Sequence, residues 1–130
     1  MSGANRTVTI GRVLSALAIV FLTFDVAIKL LQLPIVGETM AQLGYASDVG
    51  LTIGIVELVC LVLYAVPRTA VLGAILLTAL FGGGIATHIR VGSPLFTHIL
   101  FGVYLGLFVW GGLYLRNARL RELIPATRWA

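Results

Sequence analysis

Charge is scarce in this chain. Only 11% of its 130 residues are Asp, Glu, Lys or Arg, and just five are acidic, where a soluble domain carries about 25% charged residues. With 59% hydrophobic residues and a mean hydropathy of +1.05, a soluble fold of this length has no interior large enough to hide the apolar surface. A lipid-facing surface absorbs it. Cysteine is nearly absent too: Cys60 stands alone, which excludes an intramolecular disulfide, a CxxC redox pair and a cysteine zinc cluster. It reads as a small packed apolar residue. P-loop, GxSxG, HExxH and Rossmann signatures are all missing. The net charge of +4 comes from eight arginines and one lysine. They are scattered at segment ends, with no basic stripe and no aromatic RNA-binding motif, so nucleic acid is excluded as a partner. The length allows one domain, over 1–130.

Four long apolar stretches are present, at about 10–33, 49–66, 69–88 and 95–115. Each is near the ~20 residues that span a hydrocarbon core, and only helices or closed barrels satisfy a backbone in lipid. Without period-2 alternation the segments are helices. The expected fold is all-α: an integral membrane four-helix bundle in contact with the lipid bilayer. Arg12 followed by the apolar run 13–24 resembles a signal peptide, but no small-x-small cleavage pattern follows and apolar residues resume after Asp25. The first helix is therefore expected to be retained. Pro67-Arg68 is almost the whole link between the second and third stretches, which predicts a tight antiparallel hairpin. Gly92-Ser93-Pro94 supplies turn chemistry before the fourth. In the longer first link, Val36, Met40 and Leu43 recur at helical spacing ahead of Gly44, which predicts a short surface helix over about 36–44.

Orientation follows from the arginines. Arg6 and Arg12 precede the first helix, Arg68 lies in the second link, and Arg116, Arg119, Arg121 and Arg128 follow the fourth. Four helices put these seven on one side, so both termini are expected in the cytoplasm, with the protein in the cell inner membrane. The tail from Asn117 reads as a surface segment, with Trp129 and Tyr114 as interface anchors. Gly50/Gly54 and Gly102/Gly106 have the four-residue spacing that lets helices approach closely. Gly82-Gly83-Gly84 is either a kink, free wall space for a ligand, or ordinary packing.

Against this apolar background the interior charges are the informative residues. Glu57 interrupts the run Gly50 to Val66, and Asp25 and Lys29 interrupt the first stretch. A bare charge at the bilayer centre costs at least ~2.5–3.5 kcal/mol on insertion scales. At 1.5 Å per residue, Asp25 and Glu57 sit at a matching depth of about 12 Å below the outer surface, on adjacent helices. Lys29 lies one turn above Asp25, at a spacing that permits an ion pair. Gln32 lies above that, extending a polar stripe. His88, Arg90 and His98 fall at the same outer side, and the inner half holds no ionisable group within its apolar runs. The functional reading is a polar pocket in the outer half, with Asp25, Lys29, Glu57, His88, Arg90 and His98 as its ligand-binding residues. The structural alternative is a salt-bridge network of Asp25–Lys29 and Glu57–Arg90 that holds helix register. Two histidines without further ligand-spaced Cys or His do not make a metal or haem site.

The stretch Glu57-Leu-Val-Cys-Leu-Val-Leu-Tyr64-Ala-Val-Pro67-Arg68, together with Leu72-Gly73-Ala74 through Gly83-Gly84-Ile-Ala86-Thr87-His88-Ile-Arg90, resembles the DoxX-like family of small bacterial membrane proteins. Leu43-Gly44-Tyr45 and Leu113-Tyr114-Leu115-Arg116 fit as well, so the likeness runs from residue 10 to about 123. It implies a four-helix membrane bundle. The family name comes from a subunit associated with thiosulfate-to-quinone electron transfer, and relatives are linked to quinone or oxidative-stress responses. The resemblance thus points to a quinone as candidate cofactor or ligand, and carries no catalytic residue across. Three readings stay open: a site for an amphipathic or quinone-like small molecule, an accessory subunit acting as a homodimer or with a membrane partner protein, and a proton-coupled carrier. Redox chemistry would need a bound cofactor, because Cys60 alone cannot cycle. The residues leave binding and catalysis equally open.

Overall fold

The computed structural model describes residues 3–124, and no strand occurs among them. Six α-helices follow in order: α1 Gly3–Leu30, α2 Pro34–Gln42, α3 Val49–Ala65, α4 Ala70–Arg90, α5 Phe101–Arg116 and α6 Ala118–Leu123, with one π-helical turn, Leu95–Ile99, leading into α5. Three helical stretches are long and apolar enough to cross a membrane: Gly3–Leu30, Ala70–Arg90 and Leu95–Arg116. Helix α3 is equally apolar but has 17 residues.

Local chemistry sets the boundaries. Helix α1 begins at Gly3, well before the apolar stretch at residue 10, because nothing in Asn5 to Thr9 breaks a helix. It stops at Leu30, and Gln32 adopts a positive φ of 54°. The polar stripe therefore ends at Lys29, with Gln32 in the turn. Leu33 is extended and Pro34 opens α2, as proline favours the first helical position and an extended predecessor. Val66 is extended ahead of Pro67 and closes α3. Gly92, at φ 72°, forms the turn that follows α4. In the tail expected at the surface, Asn117 accepts a hydrogen bond from the Leu120 N–H at 3.1 Å and caps α6, whose Leu120 is buried in the core. Arg128 and Trp129 lie outside the described residues.

Helix α1 packs most extensively on α5 and next on α3; α3 packs on α4, and α4 on α5. The adjacencies form a cycle. One end of the molecule holds both ends of the described chain and the α3–α4 turn; the other holds α2 and the π-helical turn. The core between the helices is filled by Ala18, Leu22, Tyr64, Leu77, Val109 and Leu113. Close approach there depends on glycine. A Cβ on Gly73 would collide with the Tyr64 backbone, one on Gly112 with Ser15, and one on Gly11 with the Gly112 carbonyl. Of the glycine pairs expected to pack, Gly50 meets Val36 of α2, Gly54 meets Lys29 of α1 and Gly102 meets Ile85, but Gly106 faces open space. Large side chains such as Val20, Phe24, Val59, Ile75 and Leu107 point outward, the pattern of a protein solvated by lipid.

Candidate functional site

The charged residues of α1 and α3 meet in one cluster. Successive turns of α1 place Asp25 and Lys29 on the side that faces α3, and Glu57 projects back from the middle of α3. The Lys29 ammonium donates to Asp25 Oδ2 at 2.5 Å and to Glu57 Oε2 at 2.8 Å. Its position is set by close packing, since Gly54 abuts the Lys29 Cβ. Glu57 is almost wholly buried, its side chain 3% exposed, against 17% for Lys29 and 29% for Asp25. One cation thus serves two carboxylates on two helices.

Of the two pairs in the structural alternative, Asp25–Lys29 forms and Glu57–Arg90 does not. Arg90 does not reach Glu57. Its Nη2 donates to the Leu43 carbonyl at 2.6 Å, because α4 ends beside the loop that follows α2, and Gly44 leaves room for the guanidinium. Arg90 holds that loop and does not line the cavity beside Glu57. The Tyr45 hydroxyl, 2.9 Å from Thr87 Oγ1, makes a second tie between the loop and α4.

The cavity has a volume of about 480 Å³. Asp25, Lys29 and Glu57 stand on one wall. His88 and His98 stand on another, their rings 5.6 Å apart in an edge-to-face arrangement. His88 Nδ1 lies 2.9 Å from Ser93 Oγ and His98 Nδ1 2.7 Å from Thr97 Oγ1, so each imidazole is oriented by a neighbouring hydroxyl. The remaining lining is mostly apolar, and Gly83 and Gly84 present bare backbone to the space with no atom in a Cβ's way. Of the six candidate residues, five therefore border one cavity and Arg90 does not. No group of three or more His, Cys, Asp or Glu side chains positioned to hold a metal exists among the described residues.

A second polar cluster escaped sequence reasoning. At the chain-terminal end, Ser15 Oγ lies 2.8 Å from the Tyr64 hydroxyl, which donates to the Val109 carbonyl at 2.7 Å. Arg116 Nε donates to Ser15 Oγ at 3.1 Å, and its guanidinium lies over the Tyr64 ring, 5.7 Å from the centroid. Arg116 therefore has a packing role beyond marking topology. Gly11 and Ser15 have the same four-residue spacing as Gly50 and Gly54, and that signal could have revealed the crossing. Between the two clusters lie Leu22, Leu61 and Leu77, all buried.

No curated protein and no solved structure matches the chain. A family model does: that of the DoxX-like family, over residues 13–112. The match covers α2 to α4 whole, most of α1 and α5, and all six candidate residues, and this chain belongs to the DoxX-like family.

Proposed function

We propose that the protein is a four-helix bundle of the cell inner membrane that binds an amphipathic, lipid-soluble small molecule in the cavity between Glu57 and His98. A quinone is the first candidate that the family suggests. Helices α1, α3, α4 and α5 would be the four spans, both termini would face the cytoplasm, and the cavity would lie in the outer half. In this reading Asp25, Lys29 and Glu57 bind the polar head, His88 and His98 border it, and the apolar lining holds the body of the ligand. Arg90 acts indirectly, by holding the loop over the cavity.

The observation that carries the proposal is a buried ion cluster on the wall of a cavity of about 480 Å³. Register alone is fixed more simply by apolar packing, since two carboxylates and an ammonium cost several kcal/mol each to desolvate. The volume falls in the ~300–1,000 Å³ range of small-molecule sites, which typically combine apolar walls with a few convergent polar groups. The test is mass spectrometry of the organic extract from protein purified in mild detergent, beside the Asp25→Asn/Glu57→Gln double variant. A quinone or other lipid-soluble molecule enriched with wild type and lost from the variant is expected. Identical, purely phospholipid extracts from two equally stable proteins would overturn the reading.

A second reading is an accessory subunit whose charges only hold register or contact a homodimer mate or a partner protein. It is supported by the pairing itself, because Lys29 satisfies both carboxylates within one chain. A stoichiometric partner that survives the carboxylate substitutions would favour it. The carrier reading has least support: apolar side chains separate the two polar clusters, and a polar path through the molecule would need them displaced.

A further inference from the structure

The ion cluster does not balance. Two carboxylates, Asp25 and Glu57, border the cavity against the single ammonium of Lys29, which divides its bonds between them. The other ionisable side chains facing the space are His88 of α4, His98 of the π-helical turn and Tyr45 of the α2–α3 loop, and no second Lys or Arg joins them. The Arg90 guanidinium is engaged by the Leu43 carbonyl and is absent from the lining. The cavity therefore sets two carboxyl groups against one ammonium, and Glu57, the deeper of the two, is 2% exposed.

The aromatic part of the lining is independent of this count and points the same way. Phe81, Phe101 and Tyr45 line the cavity, with Gly83 and Gly84 leaving flat backbone between α4 and the space. Aromatic rings attract cations through the negative faces of their π systems, more strongly when water is excluded. An anionic head would compete with two carboxyl groups for one ammonium. A neutral head would leave the two carboxyl groups to share the single Lys29 ammonium.

We infer that the cavity is selective for an amphipathic cation, an ammonium or delocalised aromatic cation whose charge is met by Asp25 and Glu57 and whose apolar body lies on the Phe81–Phe101 wall. The inference rests on the reading that this cavity binds a small molecule, and it specifies the class of that molecule. Asp25 is the residue that can be neutralised while the α1–α3 tie is kept, because the Lys29–Glu57 bond remains.

Equilibrium dialysis of the purified protein in mild detergent tests this with three probes. They are tetraphenylphosphonium, its anionic counterpart of the same shape, tetraphenylborate, and a short-chain neutral quinone analogue. The cation should bind wild type at least about tenfold more tightly than either other probe, and Asp25→Asn should weaken it by about tenfold or more, the scale of one charge contact in a low-dielectric site. Phe101→Ala should weaken the cation as well. Thermal unfolding run in parallel shows that the variants fold. If the borate or the quinone analogue binds as well as the cation, or if folded Asp25→Asn binds the cation as wild type does, the inference fails. Quinone binding that depends on Glu57 would leave the cavity's function standing while removing the cation. Binding of none of the three would remove both.

Discussion

Lys29 is the residue on which the charged cluster turns. With it in place, two carboxylates on separate helices share one ammonium; without it they face each other in a half-closed apolar cavity. Breaking a buried ion pair by deleting one partner costs about 3–5 kcal/mol, because the other charge is left uncompensated. Lys29→Met is therefore expected to lower the thermal midpoint in detergent far more than Asp25→Asn, which keeps the better-buried of the two bonds, Lys29 to Glu57. Equal losses from the two variants would show that Asp25, not Glu57, is the principal partner. Sequence depth and spacing brought Asp25, Lys29 and Glu57 together correctly, since helical rise is regular and two adjacent antiparallel helices share one depth scale. The partner of Arg90 was not legible. Its side chain reaches a backbone carbonyl of Leu43, and loop carbonyls have no signature in a sequence.

At the scale of elements, the glycines divide by what surrounds them. Gly73 lies against the backbone of Tyr64, so any side chain there forces α3 and α4 apart just where their link is shortest. Gly82 has open space around its missing Cβ. Gly73→Val should cost about 1–3 kcal/mol or more, the usual penalty of overpacking, whereas Gly82→Ala should be neutral or stabilise α4 by roughly 0.5–1 kcal/mol through helix propensity. Thermal unfolding of the two variants separates these outcomes, and a loss of stability from Gly82→Ala would mean that a partner approaches that face. The pairs read from sequence spacing met mixed fates for the same reason. Gly50, Gly54 and Gly102 each contact another element, but Gly106 does not, and the tight α1–α5 crossing runs through Gly11, Ser15 and Gly112. Spacing shows that one face of a helix is small; it does not show which neighbour lies on that face.

For the molecule as a whole, the arginines describe an asymmetry that the fold preserves. Arg6, Arg12, Arg68, Arg116, Arg119 and Arg121 belong to the end that carries both ends of the described chain and the α3–α4 turn. Lys29 and Arg90, at the other end, are bound to Glu57 and Asp25 and to Leu43 respectively. Under the positive-inside rule, a fluorescent protein fused after residue 130 should fluoresce in the cytoplasm and alkaline phosphatase fused at the same point should be inactive. Active phosphatase would invert the proposed orientation and put the cavity on the cytoplasmic side.

Hydropathy and segment length alone determined that this chain is helical and apolar enough to cross a membrane. That follows because lipid leaves a backbone few ways to satisfy its hydrogen bonds, so composition carries architecture directly. The same limits made the link prolines and the α2 helix readable, since φ restriction and helical period are local properties. Tertiary structure alone decided that one ammonium serves two carboxylates, that Arg90 holds a loop instead of joining them, and that Ser15, Tyr64 and Arg116 close the opposite end. It also decided that a cavity opens beside Glu57. These depend on which faces of distant helices meet and at what distance, and no local pattern in the chain encodes a separation between residues dozens of positions apart.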